Sequence, residues 1–267
     1  MEAITLGPAG TYSHRAARAV ADEVTFSESV TAIVEAVAGG EYRRGVVPIE
    51  NSIEGSVTET LDALADYDVG VVEEVVTPIR HALIAQSEEF DVVASHSQAL
   101  AQCRTFLEAE YPDVSLEAVA STARGVEHAR EDASVAAIAH PDNAGDDLRV
   151  LAEDIQDRSS NATRFFVIAP AEERSDAGGK STIIVNPNAN YPGLLLELLE
   201  AFADRDINLS RVESRPTGDR LGDYRFHIDF EAGLYERQAR EAVEEVEDIA
   251  EDGWVRRLGS YDTRHVV

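Results

Sequence analysis

Lysine is nearly absent from this 267-residue chain, in which Lys180 is the one lysine among 23 basic residues. Aspartate and glutamate together number 51, so the formal net charge is −28 at pH 7. The acidic residues are spread along the whole chain, which indicates a folded protein with a negative surface and not an acidic tail. Nucleic acids and anionic membranes bind to basic patches, and we therefore expect neither as a partner.

An acidic, almost lysine-free surface is typical of proteins from a high-salt cytoplasm, and an ordinary acidic protein is the alternative interpretation. At ~1 M salt the Debye length is about 3 Å, so repulsion between surface carboxylates is screened. We predict that fold and activity are lost below ~0.5–1 M salt, because this screening then fails. A circular dichroism spectrum that stays the same on dialysis into dilute buffer would contradict the prediction.

Several other sequence features are scarce or absent, and each excludes a class of protein. Cys103 is the single cysteine, which excludes an internal disulfide. No apolar run approaches the ~20 residues of a membrane span, and residues 1–6 lack the basic start of a signal peptide. The chain has neither a glycine-rich phosphate loop nor paired His/Cys metal spacing, so we expect no nucleotide or metal cofactor. Together these features predict a cytoplasmic protein.

Two kinds of pattern divide the chain. Short apolar strands alternate with helical stretches through residues 1–170, which predicts an α/β domain. Residues 171–180 are polar and contain glycine, as expected for a linker. Residues 181–267 show a βαββαβ pattern, which predicts a small α+β ferredoxin-like domain.

Four segments are expected to meet in one pocket. They are residues 7–13 (GPAGTYS), 47–57 (VPIENSIEGSV), 96–100 (HSQAL) and 163–165 (TRF). The last combines a hydroxyl donor, a fixed cation and an aromatic ring at the edge of a predicted strand. Such a set suits a small, aromatic-like dianion that must lose a hydroxyl group.

These segments, in this order and over essentially the whole chain, resemble the prephenate dehydratases, which carry a regulatory ACT domain after the catalytic domain. The resemblance also rests on residues 157–165 and on 213–216 (ESRP). It implies a periplasmic-binding-protein-like two-lobed clamp over residues 1–170, with residues 1–77 and 161–170 in one lobe and 78–160 in the other. Residues 181–267 would form the ACT domain. No helical mutase segment precedes residue 1, which implies a monofunctional enzyme.

The resemblance implies decarboxylative dehydration of prephenate to phenylpyruvate, on the route to phenylalanine, in a homodimer or homotetramer regulated by phenylalanine. Loss of CO2 with expulsion of hydroxide makes the ring aromatic. Hydroxide is a poor leaving group, so the main task is to donate a proton or a strong hydrogen bond to it. No metal, nucleotide or covalent intermediate is required.

The family's motifs imply that Thr163 is this catalytic donor. The implied substrate-binding residues are Thr11, Ser13, Asn51, Ser52, Gln98, Ser121, Thr122 and Arg164. Arg164 faces away from Thr163 if the strand is regular, and a structural salt bridge is its other interpretation. Ordinary helix capping is the alternative role of Thr11 with Ser13 and of Asn51 with Ser52.

Two further local predictions concern helix starts. Ser56 and Glu59 have the spacing of a capping box, which predicts a helix that opens there. His96 is expected to be a helix cap or a solvent-facing residue. Ser97 stands where family members usually have proline, which removes no polar group.

The resemblance also implies an effector site between two ACT domains. Its expected residues are Asn190, Pro192, Gly193, Leu194, Leu195, Glu213, Ser214 and Arg215. Leu194 stands where the family usually has a small residue, which adds bulk to the region expected to hold phenylalanine.

Two alternatives to a prephenate enzyme stay open at this point. A preference for the amino-acid analogue arogenate is a close variant. A non-catalytic amino-acid-sensing binding protein is the rival class, although a pure sensor needs no leaving-group donor such as Thr163.

Overall fold

The computed structural model describes residues 1–158, 160–218, 220–250 and 253–266. Ser159 of the segment 157–165 and Val267 of the predicted C-terminal domain lie outside the described residues. None of the helices formed by the described residues is long and apolar enough to cross a membrane.

Helices and strands alternate along the chain. The first elements are β1 (Glu2–Leu6), α1 (Tyr12–Arg18), β2 (Glu23–Ser27), α2 (Val30–Ala38), β3 (Gly45–Asn51), β4 (Gly55–Ser56), α3 (Thr58–Asp66) and β5 (Val69–Pro78). The next are β6 (Ala82–Ala85), β7 (Val92–His96), α4 (Ser97–Gln102), α5 (Arg104–Glu110), β8 (Ser115–Val119), α6 (Thr122–Glu131), β9 (Val135–Ala139), β10 (Arg149–Ala152) and β11 (Ala162–Pro170). The last are β12 (Lys180–Asn186), α7 (Leu194–Ala203), β13 (Leu209–Pro216), β14 (Tyr224–Phe230), α8 (Arg237–Ala250), β15 (Trp254–Tyr261) and β16 (Thr263–His265).

Two mixed sheets form the two lobes of the N-terminal part. The first runs in the order β16-β5-β11-β3-β1-β2, with β4 also paired to β3, and the second runs β10-β6-β9-β7-β8. The chain leaves the first sheet after β5, builds the second, and returns on β11, which lies antiparallel between β3 and β5. The predicted two-lobed α/β clamp is confirmed, and the return strand carries Thr163 to the boundary between the lobes.

The C-terminal sheet, in the order β13-β14-β12-β15, has the predicted ferredoxin-like connectivity. Its apolar face packs against α7 and α8, with Phe202 and Phe230 fully buried between them. Its other face packs on the first lobe, where the ring of Tyr261 lies 5.3 Å from the ring of Phe166. The C-terminal sheet is therefore in direct contact with the strand that carries Thr163.

The last strand departs from the predicted domain division. The sequence predicts one C-terminal domain over residues 181–267, whereas β16 pairs in parallel with β5 of the first lobe. The Thr263 hydroxyl donates to a Glu74 carboxylate oxygen at 2.7 Å, and Arg264 Nε lies 2.6 Å from Glu73. The three residues of β16 all have polar side chains, so their sequence shows no strand pattern. Their partners on β5 lie far away in the sequence, and local rules do not reveal the pairing.

The predicted capping box is wrong. Helix α3 begins at Thr58 with Val57 as its N-cap, and no side chain caps it. The Ser56 hydroxyl donates instead to Glu213 at 3.0 Å, and Glu59 accepts from the Thr31 backbone N–H at 3.0 Å. Both side chains are thus taken up by tertiary contacts that the local spacing does not reveal.

His227 on β14 predicts a specific acid sensitivity. It is buried, and its ring nitrogens have no hydrogen-bond partner among the described residues. Burial, followed by the nearby Arg211, lowers its pKa to about 3. An unfolded histidine has a pKa of ~6.5, so as the pH falls below that value the unfolded state takes up a proton first. The stability that neutral His227 contributes is present above ~6.5 and is lost towards pH 3.

We therefore expect the melting temperature of the wild-type protein to fall more steeply between about pH 6.5 and pH 4 than that of His227→Leu. Leucine fills a similar volume and takes up no proton. Differential scanning calorimetry at constant salt measures both curves. Parallel curves would show that His227 does not contribute to the acid sensitivity.

Candidate active site

A cavity of about 410 Å³ lies in the cleft between the two lobes. The predicted residues that line it are Thr11, Ser13, Asn51, Gln98, Ser121, Thr122 and Thr163. The structure therefore brings most of the predicted site together from both lobes. The other lining residues are Leu6, Tyr12, Ile79, His81, His96, Ala99, Gln102, Ala120 and Asn161.

Three helices begin at this cavity. The N-caps of α1, α4 and α6 are Thr11, His96 and Ser121, and all three line it. The first N–H groups of a helix have no partner within the helix and carry partial positive charge, so helix starts favour carboxylates. Among the described residues that line the cavity there is no arginine and no lysine. An anion in this cavity would therefore be held by helix starts and neutral side-chain donors.

Three of the residues that line the cavity also cap helices. The Thr11 side chain accepts from the His14 N–H at 3.3 Å and donates to the Pro8 carbonyl at 2.9 Å. The Ser121 side chain accepts from the Arg124 N–H at 3.0 Å. The His96 ring accepts from the Gln98 N–H at 3.4 Å, which confirms it as a cap. Thr11 thus offers the cavity its helix start, because its hydroxyl is already engaged.

The geometry around Thr163 sets the direction of its hydroxyl proton. Asn51 and Thr163 are paired neighbours on β3 and β11, and Asn51 Nδ2 donates to Thr163 Oγ1 at 3.0 Å. The Asn51 side-chain oxygen accepts from the N–H groups of Ile53 and Glu54 at 3.0 and 3.2 Å, which fixes the orientation of the amide. Because Oγ1 is an acceptor in the bond to Asn51, its own proton is left for a partner in the cleft.

Sequence reasoning missed a chain of polar side chains behind this pair. Asn51 Nδ2 also lies 3.2 Å from Asn161 Oδ1, and Asn161 Nδ2 donates to Gln102 Oε1 at 2.9 Å. His81 Nε2 lies 2.9 Å from the same Gln102 oxygen. Burial lowers the pKa of His81, and the hydrogen bond to Gln102 offsets part of that effect. The chain crosses from one lobe to the other and ends on a neutral imidazole.

A sequence signal for part of this chain was present. Gln102 lies two residues after the segment 96–100 and one helical turn after Gln98, and Asn161 lies two residues before Thr163. In α4, positions four apart share a face, so Gln102 belongs beside Gln98. His81 had no such signal, because it lies between β5 and β6 outside every motif.

Two predicted substrate-binding residues do not reach the cleft. Arg164 points to the opposite face of β11, where its guanidinium lies 3.1 Å from Glu50 and 2.6 Å from Asp229. The Ser52 hydroxyl donates to the Ser160 carbonyl at 3.2 Å and accepts from the Ala162 N–H at 3.0 Å. Both line a separate cavity behind the strand. The prediction that they line the cleft is wrong. Arg164 follows Thr163 on β11, where successive residues face opposite sides. Ser52 lies in the turn after β3, where its hydroxyl is bonded to the backbone of residues 160 and 162.

The predicted effector residues do not form one pocket among the described residues of a single chain. Glu213 and Arg215 face the first lobe, where they contact Ser56 and Asp62 at 3.0 and 2.7 Å. Ser214 lies on the other face of β13. Gly193 precedes α7 with a φ of 104°, a conformation that side chains other than glycine rarely adopt.

The two leucines that follow Gly193 point in different directions. Leu194 is buried in the core of the C-terminal sheet and its helices, whereas Leu195 is 38% exposed. The extra bulk of Leu194 therefore lies in this core and not at the surface.

Asn190 donates to the Gly222 carbonyl at 2.8 Å, and this bond links the turn before α7 to the loop before β14.

Fold and cleft together define a class of protein. It is a two-lobed α/β clamp in which an asparagine orients a threonine hydroxyl at the wall of the cleft, with a ferredoxin-like domain packed behind the strand that carries this threonine.

Comparisons with known proteins identify the family. The family model described as prephenate dehydratase matches residues 3–173, and the ACT domain model matches residues 188–248. The chain belongs to the prephenate dehydratase family.

Relatives match over nearly the whole chain. It is 36% identical to the bifunctional chorismate mutase/prephenate dehydratase of Aquifex aeolicus, over 96% of this chain and 72% of that protein. It is 37% identical to the prephenate dehydratase of Amycolatopsis methanolica, over 96% of this chain and 86% of that protein. The crystal structure of prephenate dehydratase from Arthrobacter aurescens, in complex with L-Phe, superposes with a TM-score of 0.88 at 34% identity and covers 98% of this chain and 90% of that one.

Proposed function

We propose that this protein converts prephenate to phenylpyruvate, CO2 and water. The observation that carries the proposal is the 3.0 Å hydrogen bond from Asn51 to Thr163 Oγ1 at the wall of the cleft. That bond leaves the threonine proton for a partner in the cavity, where a ring hydroxyl would lie. The helix starts at Thr11, His96 and Ser121 suit the two substrate carboxylates.

Electron flow in the reaction is simple. The bond between the ring and its carboxylate breaks and releases CO2, and its electron pair completes the aromatic ring while the C–O bond to the hydroxyl group breaks. Thr163 donates to the departing oxygen, and the Asn51 amide stabilises the negative charge that grows on Oγ1. The departing oxygen takes the Thr163 proton and leaves as water, and Oγ1 then regains a proton from solvent, so one proton is consumed in each turnover. A neutral donor is useful here only if it is fixed in advance, as the Asn51 contact provides.

The cleft favours prephenate over arogenate. Among the described residues that line it there is no aspartate or glutamate, so the ammonium group of arogenate would lack a carboxylate partner. The first N–H groups of the helices that start at the cavity carry partial positive charge, which does not favour a cation. The 2-oxo group of prephenate carries no charge and avoids this cost.

Product analysis tests the proposal. We expect phenylpyruvate and CO2 to form from prephenate in equal amounts, with a kcat/KM well above that for arogenate. Comparable values for the two substrates would contradict the argument from the cleft charge. Binding of prephenate by folded protein without product would favour the sensor alternative.

We also propose that phenylalanine binds the ACT domain between two copies of the chain, in a homodimer or homotetramer. The related Arthrobacter structure is a complex with L-Phe, and Asn190, Pro192 and Gly193 form the turn before α7 that we assign to this ligand. Titration calorimetry with phenylalanine and light scattering of the same sample test site and assembly together.

The acidic surface supports a location in a high-salt cytoplasm.

A further inference from the structure

Arg164, the residue that follows Thr163, is held by carboxylates from three different strands. Nη1 lies 3.1 Å from Glu50 on β3, Nε lies 2.9 Å from Glu74 on β5, and Nη2 lies 2.6 Å from Asp229 on β14. Two of these strands flank β11 in its own sheet, and the third belongs to the ACT domain. The backbone next to the catalytic hydroxyl is therefore anchored to another domain.

Asp229 is the buried centre of this contact. Its side chain is 2% exposed, and its second cation is Arg211 on β13, with Nε at 2.8 Å and Nη2 at 3.1 Å. The Thr182 hydroxyl also donates to it at 2.8 Å. Burial opposes ionisation, but Arg211 and Arg164 outweigh it and hold the pKa of Asp229 below its ordinary value. Asp229 is thus charged and has partners on both sides.

Glu74 receives a second cation of its own, since Lys180, the single lysine of the chain, lies 2.9 Å from it. The cluster thus contains three cations and three carboxylates, namely Arg164, Arg211 and Lys180 with Glu50, Glu74 and Asp229. A buried charge that loses its partner is strongly unfavourable, so these groups are expected to move together. Arg211 is also two residues before Glu213 on β13, a strand of the predicted effector site.

We propose that Arg164 is a positioning residue for Thr163, and that its pair with Asp229 is the contact through which the ACT sheet sets the position of β11. This inference rests on the proposed function of Thr163. Errors of ~1 Å in the placement of a reacting group can lower rates about 10²-fold, so a small shift of β11 is enough to matter. Arg164 needs no contact with substrate in this role.

Asp229→Asn tests the proposal, because it keeps the shape of the side chain and removes its charge. We expect kcat for prephenate to fall about 10- to 100-fold, with KM within about twofold of wild type. Amide hydrogen exchange of residues 162–166 should become faster, because β11 has lost its anchor. Arg164→Lys keeps the charge but not the fork, so it should give an intermediate loss of kcat.

Arg225→Gln is the matched control. Arg225 lies on the same strand as Asp229 and forms a 3.1 Å ion pair with Asp66 on α3, so it joins the two domains without reaching β11. This variant should keep the kcat and the exchange rate of wild type. All variants are compared at a salt concentration at which their circular dichroism spectra match.

Three outcomes overturn the proposal: wild-type kcat in Asp229→Asn, unchanged exchange in residues 162–166, or the same losses in Arg225→Gln. The exchange measurement needs no turnover. If wild-type protein makes no phenylpyruvate, the proposed function fails, while exchange in the two variants still decides whether Asp229 anchors β11.

Discussion

Replacement of Thr163 by alanine is expected to lower kcat about 10²–10⁴-fold, the usual scale for a positioned acid. The reason is the loss of the one hydroxyl that the Asn51 amide orients towards the cleft. KM should change little, because the helix starts that we propose for the carboxylates are unaffected. Steady-state measurement of phenylpyruvate formation gives both constants.

Two further variants at this position separate chemistry from packing. Thr163→Val keeps the β-branched shape and removes the hydroxyl, so it should be as slow as Thr163→Ala. Thr163→Ser restores the hydroxyl and should recover most of the rate. A valine variant with near-normal kcat would remove Thr163 from the mechanism.

Replacement of Asn51 by aspartate is expected to lower kcat about 10²–10³-fold, as for loss of a preorganised donor. An aspartate keeps the oxygen that accepts from Ile53 and Glu54. Its second oxygen faces Thr163 Oγ1 as an acceptor, so the hydroxyl proton turns towards the new carboxylate and away from the leaving group. The variant thus inverts one hydrogen bond with little change in shape.

Asn188→Asp is the control for the change in charge. Asn188 is exposed in the loop after β12, outside the cleft, and the same substitution there should leave kcat unchanged. Stopped assays with saturating prephenate compare the two variants at one salt concentration. Equal activity of Asn51→Asp and wild type would show that the direction of this hydrogen bond is irrelevant.

The fold and the members of the cleft were largely predictable from the sequence. Alternating strands and helices, and the βαββαβ pattern after the linker, correspond to the observed sheets. Thr11, Asn51 and Thr163 each lie at the end of a strand or the start of a helix, and local rules place such residues at the edge of a sheet. These rules work because strand ends and helix starts are set by nearby residues.

What the sequence could not show depends on contacts between distant segments. Arg164 had two interpretations, and its partner Asp229 comes from a different domain. The hydrogen-bonded side chains Asn161, Gln102 and His81 come from both lobes. Their spacing in the sequence therefore does not predict that they are in contact. Ser56 lost its predicted capping role for the same reason, because Glu213 binds its hydroxyl.

The most direct test of the central claim is the initial rate of phenylpyruvate formation from prephenate in ~2–3 M KCl, a salt range in which carboxylate repulsion is screened. The rate is measured with and without phenylalanine. We predict ready turnover by wild-type protein and a lower rate with phenylalanine. Folded protein that binds prephenate but forms no phenylpyruvate would contradict the account.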